Sequence, residues 1–204
     1  MCSGHQATNS TETHSCACSG TASRVVGRTV DAATELILPP VKFPSRRVFD
    51  VAGEEKLREL VRRHHALLMA GPLAGMFPKD PWVFAKLAEK VADFVVESCG
   101  GATTYSEQQG SMCMRTRHFP FTIDEAAREI WLAAFFQAMT DVEFPVEVRE
   151  EIWNWLEAFS VRMINRRSMK AQPVRIPYVL ALLRFDAQPR GLPCGVRMRF
   201  CPHG

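Results

Sequence analysis

The sequence predicts an all-α domain, and three observations carry that expectation. Apolar residues recur at helical spacing in four separate stretches between about residue 54 and residue 163. Stop and start signals separate the stretches: Gly71-Pro72, Gly100-Gly101 and Pro145. Ahead of the third stretch stands Thr122-Ile123-Asp124-Glu125, which reads as a capping box with Thr122 as N-cap and Glu125 three residues on.

The elements follow in order. Residues 1–23 are rich in Ser, Thr, Gly and Cys and poor in large apolar groups, a composition expected to stay disordered. Residues 24–50 contain Ala33–Leu38, then Pro39-Pro40 and Pro44. A short helix or an extended arm fits there, but no continuous helix passes Pro39-Pro40. The first long helix is expected over about Glu54–Met69. Its stripe is Leu57, Leu60, Val61 and Leu68, and His64 and His65 occupy the i+7 and i+8 places from Leu57, on or beside the buried face. A connector with Met76, Phe77 and Pro78 leads to a second helix, about Trp82–Ser98, with Phe84, Leu87, Val91, Phe94 and Val95 inward. Residues 101–117 read as a loop. The third helix runs from about Ile123 to Met139, with Ala127, Ile130, Trp131, Ala134, Phe135 and Ala138 in register. Pro145 opens the fourth, whose stripe is Val148, Ile152, Trp155, Leu156, Phe159 and Met163. Ile176–Leu183 suits a short helix against the domain, and Pro189, Pro193 and Pro202 suggest an irregular end. The organisation expected is an N-terminal extension over 1–50, a domain over 51–168 and a basic C-terminal extension over 169–204.

Composition narrows the class. A chain of 204 residues with 47% hydrophobic content is that of one globular domain with extensions. No run of eighteen apolar residues exists, so no transmembrane segment is expected, and the N-terminus lacks the basic-then-apolar pattern of a secretory signal. Seven cysteines, an odd number at irregular spacing, argue against a disulfide framework and suit a reducing, cytoplasmic compartment. Cys16-Ala17-Cys18 with His14 has soft-metal ligands, but such pairs in Ser/Thr-rich tails are usually incidental. The net charge of +3 is uneven: residues 166–204 hold eight Lys or Arg against Asp186 alone, so the remainder is net acidic. That tail lacks the basic–aromatic alternation of a single-strand binder, and no nucleic-acid partner is expected.

His118 is the sharpest candidate for chemistry. It stands between a polar glycine-rich loop and a strong helix start, facing an apolar pocket, the arrangement needed for one axial bond to a buried haem iron. The surrounding frame is Gly100-Gly101, Thr104-Tyr105-Ser106-Glu107-Gln108, Gly110, Met114-Arg115-x-Arg117-His118-x-Pro120-Phe121 and Arg128-x-x-Trp131-Leu132. In identity and spacing it resembles the group II truncated haemoglobins, with weaker similarity from about Leu57 to Asn165.

The resemblance implies a two-over-two helical sandwich enclosing haem, with N- and C-terminal extensions. It implies haem b, held without covalent attachment, since no CxxCH motif exists. It makes His118 the proximal iron ligand, its other ring nitrogen donating to a backbone carbonyl. Arg117 and Arg115 would lie near the haem propionates, which a guanidinium fork suits, and the Tyr105 hydroxyl would reach one too. Phe94 and Phe121 would contact the cofactor. Trp131 would sit over the distal side with its indole N–H aimed at bound ligand, and Leu87 and Val91 would face the iron.

This chain departs from the family at Arg63-His64-His65. His65 takes the place of a distal tyrosine, His64 replaces a neighbouring aromatic, and Phe77 falls where the family varies between tyrosine and phenylalanine. Both distal hydroxyls are therefore missing. A histidine donates more strongly as imidazolium, near its unperturbed pKa of about 6.5, so ligand release is expected to depend on pH through His65, tuned by His64. His65 could instead bind the iron itself.

Three functions compete. One is a haem protein binding dioxygen, carbon monoxide and nitric oxide, with nitric oxide detoxification as a use and a reductase as partner. A second is a haem peroxidase or electron-transfer globin, in which a distal histidine assists O–O cleavage. A third is a haem-free helical interaction module, whose pocket would fill with side chains. Either a monomer or a homodimer fits the sequence.

Overall fold

Four apolar stripes become four long helices, and a computed structural model describes their packing over residues 35–186. The order is α1 (Arg46–Met69), a 3-10 turn (Ala74–Met76), α2 (Pro81–Ser98), α3 (Thr104–Gln109), α4 (Met114–Arg117), α5 (Glu125–Asp141), α6 (Val146–Met163) and α7 (Tyr178–Ala181), which runs on into a π turn (Leu182–Asp186). No strand occurs among the described residues. α1 and α2 pack as one layer over α5 and α6, and α1 touches all three of the others. The core between the layers holds Leu57 and Leu60 of α1, Leu132 and Phe135 of α5, and Ile152, Trp153 and Leu156 of α6. The Ser/Thr-rich segment 1–23, the Cys16-Ala17-Cys18 pair and the proline-rich end with Pro189, Pro193 and Pro202 lie outside the described residues.

Local chemistry explains both ends of α2. Asp80 accepts from the backbone N–H groups of Trp82 and Val83, and Pro81 fills the first helical position, where no donor is needed. Gly101 lets α2 turn into the next segment against α1. A Cβ there would come within 2.5 Å of Val96 Cγ1 and 2.7 Å of Phe49 Cε2.

Two local expectations change, and a third, left between two alternatives, takes one of them. α1 starts at Arg46 rather than near Glu54. Gly53, at φ 75° and ψ 163°, breaks it internally, and an extra turn with buried Val48 precedes the break. Residues 101–117 are not simply a loop, since they contain the short helices α3 and α4. The segment before α1 is the extended arm: Val41 and Phe43 lie on the core, and Arg162 donates from Nε and Nη2 to the Pro39 carbonyl.

The capping box at α5 also resolves differently. Asp124, not Thr122, is the N-cap, accepting from Ala127 N–H at 2.8 Å. Glu125 does not reach back to a cap. Arg167 pairs with its Oε1, while the Ser168 N–H and hydroxyl donate to Oε2 at 2.9 and 2.7 Å. The residues after α6 win this carboxylate because they offer a charged donor and two neutral ones together. Burial alone would raise the Glu125 pKa, but the Ser168 and Arg167 donors bring it from 4.5 down to about 2. A depressed carboxylate contributes stability present above its ordinary pKa and lost as pH falls through the folded value. Glu125→Gln is therefore expected to cost about 2 kcal/mol at pH 7. It should also remove that part of the wild-type stability loss falling between pH 4.5 and about 2, read from urea midpoints at successive pH values. Identical midpoints for the two proteins at pH 7 would refute this.

Candidate functional site

The two layers do not close completely. Between α1, α2, α5 and α6 lies a cavity of about 220 Å³, with α4 and the 3-10 turn at its edges. Its wall is apolar apart from His64, His65, His118, Arg128 and Ser160. Nine of the residues singled out from the sequence line it: His118, His65, His64, Trp131, Phe77, Leu87, Val91, Phe94 and Phe121.

His118 caps the C-terminal end of α4. Its Nδ1 lies 2.8 Å from the Met114 carbonyl oxygen, so Nδ1–H donates there and Nε2 is left with a free lone pair. The same relation recurs on the opposite layer. His65 Nδ1 lies 2.8 Å from the Val61 carbonyl one turn back on α1, which again leaves Nε2 unprotonated. His64 Nε2 lies 3.2 Å from the Trp131 carbonyl and donates across to α5. Its ring stands edge-on to Trp131 at 4.7 Å and to Phe135 at 5.3 Å, while Trp131 stacks on Phe135 at 5.8 Å. His64 thus holds Trp131 by both backbone and ring. Phe77 and Phe84 pack against the His65 ring at 6.0 and 6.5 Å, so no hydroxyl stands on that side.

Burial disfavours charge on both histidines of α1. It pushes the His64 pKa well below 6.5, with the neighbouring His65 adding to the effect and the Trp131 carbonyl opposing it. It lowers that of His65 as well, against the pull of the Val61 carbonyl. Both rings are neutral around pH 7.

The three residues expected near propionates do not line the cavity. Tyr105 is buried behind Phe94, their rings 5.3 Å apart, and its hydroxyl donates to Met114 Sδ at 3.7 Å. Arg117 lies over the Tyr105 ring at 5.7 Å and donates to the carbonyls of Gln109 and Ser111. Arg115 donates to the Arg162 carbonyl and lies 6.0 Å from the Phe119 ring. Arg117 and Arg115 are instead each held by main-chain oxygens.

Sequence reasoning gave no role to Arg128, Glu157 and Ser160. Arg128 lines the cavity and forms an ion pair with Glu157 in which both side chains are 2% exposed. Arg128 Nε also donates to Ser160 Oγ at 2.9 Å. Glu157 gathers Arg175 and the Ile176 N–H, at 3.0 Å, from the segment that follows α6. A signal was available. Arg128 falls on the buried α5 row with Leu132, Phe135 and Met139, and Glu157 falls with Trp153, Ser160 and Val161 on α6. Opposite charges in two buried rows are best read as partners.

The model of the bacterial-like globin family matches residues 47–165. The group 2 truncated hemoglobin YjbI of Bacillus subtilis (strain 168) is 31% identical over 119 residues, 58% of this chain and 88% of that protein. The crystal structure of phosphate-bound Hell's gate globin IV is similar with a TM-score of 0.72 at 45% identity, covering 80% of this chain and 99% of that one. A truncated oxygen-avid haemoglobin from Bacillus subtilis is similar with a TM-score of 0.54 at 31% identity, covering 58% and 98%. The two-over-two arrangement expected from the sequence is the one the helices adopt.

Proposed function

The chain belongs to the bacterial-like globin family, which implies a haem cofactor and binding of diatomic gases such as dioxygen, and from that premise we propose that His118 ligates the iron of haem b through Nε2. The observation that carries this is the Nδ1–H bond to the Met114 carbonyl, which fixes the tautomer and orients the ring over an apolar cavity. The cofactor supplies an iron centre that takes up a diatomic ligand reversibly. The proposed ligands are dioxygen, carbon monoxide and nitric oxide, with nitric oxide detoxification supported by a reductase as the use. The open cavity supports this reading over a haem-free module, whose side chains would fill the space.

Trp131 is the constant donor in this reading, because an indole N–H donates whatever the pH. His65 is conditional. With Nδ1–H committed to Val61, its neutral ring presents a lone pair at Nε2 and has no hydrogen to offer bound dioxygen. It donates only as imidazolium, and burial moves that below the ordinary value of 6.5. Dioxygen release is therefore expected to be flat between pH 7 and 9 and to slow only once pH falls below the ordinary histidine value of 6.5. His65→Leu should remove the slowing, by stopped-flow measurement. If the variant keeps the wild-type pH profile, His65 is not the group responsible.

A second reading rests on the same geometry. The free Nε2 of His65 is as well prepared to bind iron as that of His118, which favours a six-coordinate resting state suited to electron transfer. An absorption spectrum of the purified protein, ferric and then ferrous with and without carbon monoxide, tests both readings. A Soret band that shifts with carbon monoxide is expected. Sharp low-spin bands in the ligand-free ferrous protein would select the second reading. No Soret band after haem titration would overturn both.

A further inference from the structure

The geometry points to Asn165, in the turn that follows α6, as the residue that positions the proximal histidine; the inference rests on the reading of His118 as iron ligand. Asn165 uses its whole amide group on the loop between α4 and α5. Nδ2 donates to the carbonyls of His118 at 2.9 Å and Phe121 at 2.8 Å, and Oδ1 accepts from the Ile123 N–H at 3.0 Å. The Asn165 N–H in turn donates to the Ile123 carbonyl at 3.0 Å, and the Arg166 N–H joins it on the same oxygen. One residue therefore ties the main chain on both sides of Pro120 to the end of α6.

The consequence for His118 is geometric. Its ring is held at Nδ1 by the Met114 carbonyl, and its own carbonyl is held by Asn165. The two tethers act at opposite ends of the residue, so the tilt of the ring and the depth of Nε2 in the cavity are over-determined. Without the Asn165 side chain, the His118 carbonyl keeps only the Phe121 N–H, at 3.1 Å within its own loop, and the loop's hold on α6 is reduced to the main-chain bonds at the Ile123 carbonyl. Two main-chain groups, the Phe121 carbonyl and the Ile123 N–H, would then need new partners, and the loop would relax away from α6. Asn165 is not among the residues that line the cavity, so it acts on the site through the loop it holds, which carries His118, Phe121 and Ile123 on the cavity wall. Asparagine suits this role because one side chain supplies two donors and an acceptor in a fixed plane. Aspartate keeps the acceptor but sets a carboxylate against two carbonyls.

The test is resonance Raman spectroscopy of the photolysed carbon monoxide complex of full-length protein. That state reads the iron–histidine stretch even if His65 occupies the sixth position at rest. Asn165→Ala and Asn165→Asp are each expected to lower and broaden that band. Haem transfer to excess apomyoglobin should become about 10–100-fold faster, the usual cost of losing an outer-shell partner. Val148→Ala is the control: it truncates a fully buried residue on α6 that has no part in the loop, so it lowers thermal stability and should leave the band in place. If both Asn165 variants lose thermal stability yet keep the wild-type band, Asn165 is a structural clip and the proposal falls. If the wild-type protein itself shows no iron–histidine band, the His118 assignment fails first and takes the inference with it.

Discussion

His118→Gly is expected to abolish the native haem site: affinity falls by more than about 100-fold, and the photolysed carbon monoxide complex loses its iron–histidine band. A 100-fold loss corresponds to about 2.7 kcal/mol, a modest sum for an axial bond and its oriented donor. Glycine also removes the ring that donates to Met114, so α4 loses a tether. Added imidazole should enter the vacated space and restore the Soret band, because the cavity wall there is otherwise apolar. Haem titration followed by absorption, with and without imidazole, decides the matter. A variant that binds haem as the wild type does, with the same carbon monoxide shift, would move the proximal assignment elsewhere. The remaining histidines of the site, His64 and His65, lie on α1, so a haem held by them would give a different spectrum.

The second large effect concerns stability. Glu157→Ala is expected to destabilise the protein by about 3–5 kcal/mol, the usual result of removing one member of a buried ion pair. Arg128, 2% exposed, would be left without its counter-charge, and the Ile176 N–H would lose its acceptor. Arg175 matters less, because its side chain is 47% exposed and can turn to water. Near the melting temperature such a loss lowers the midpoint by about 6–20 °C for a domain of this size. Arg128→Met combined with Glu157→Met should recover most of it, since two apolar groups leave no uncompensated charge. Urea denaturation of the wild type, Arg128→Met, Glu157→Met and the double variant measures the coupling directly. A cycle in which the double variant is no better than the worse single one would show that the pair is not coupled. The pair also bears on the site: Arg128 lies on the cavity wall one turn before Trp131, so Glu157→Ala should disturb ligand release as well as folding.

Much of this was legible in the chain. The four helices follow from apolar periods of 3.6, and Asp80-Pro81 and Gly100-Gly101 close α2 by rules that involve only neighbouring residues. His118 stands out because the motif around it is continuous in sequence, and the burial of His64 and His65 follows from their spacing to Leu57. The cap of α5 was misread because two competent side chains, Thr122 and Asp124, lie two residues apart. The choice between them depends on where Glu125 goes, and Glu125 goes to Arg167 and Ser168, more than forty residues away. The arginines beside His118 are placed near the propionates by family pattern alone; the main-chain partners they hold here, the carbonyls of Arg162 and Gln109, are set by packing.

The chain alone thus settles the class of fold, the helix pattern and the identity of the proximal candidate, because these rest on periodicity and on a contiguous motif. The pairing of Arg128 with Glu157, the grip of Asn165 on the His118 loop and the tautomer of His65 come from the assembled layers. Each depends on a donor and an acceptor meeting within about 3 Å, and that meeting exists only once the helices have chosen their neighbours and turned their buried faces together.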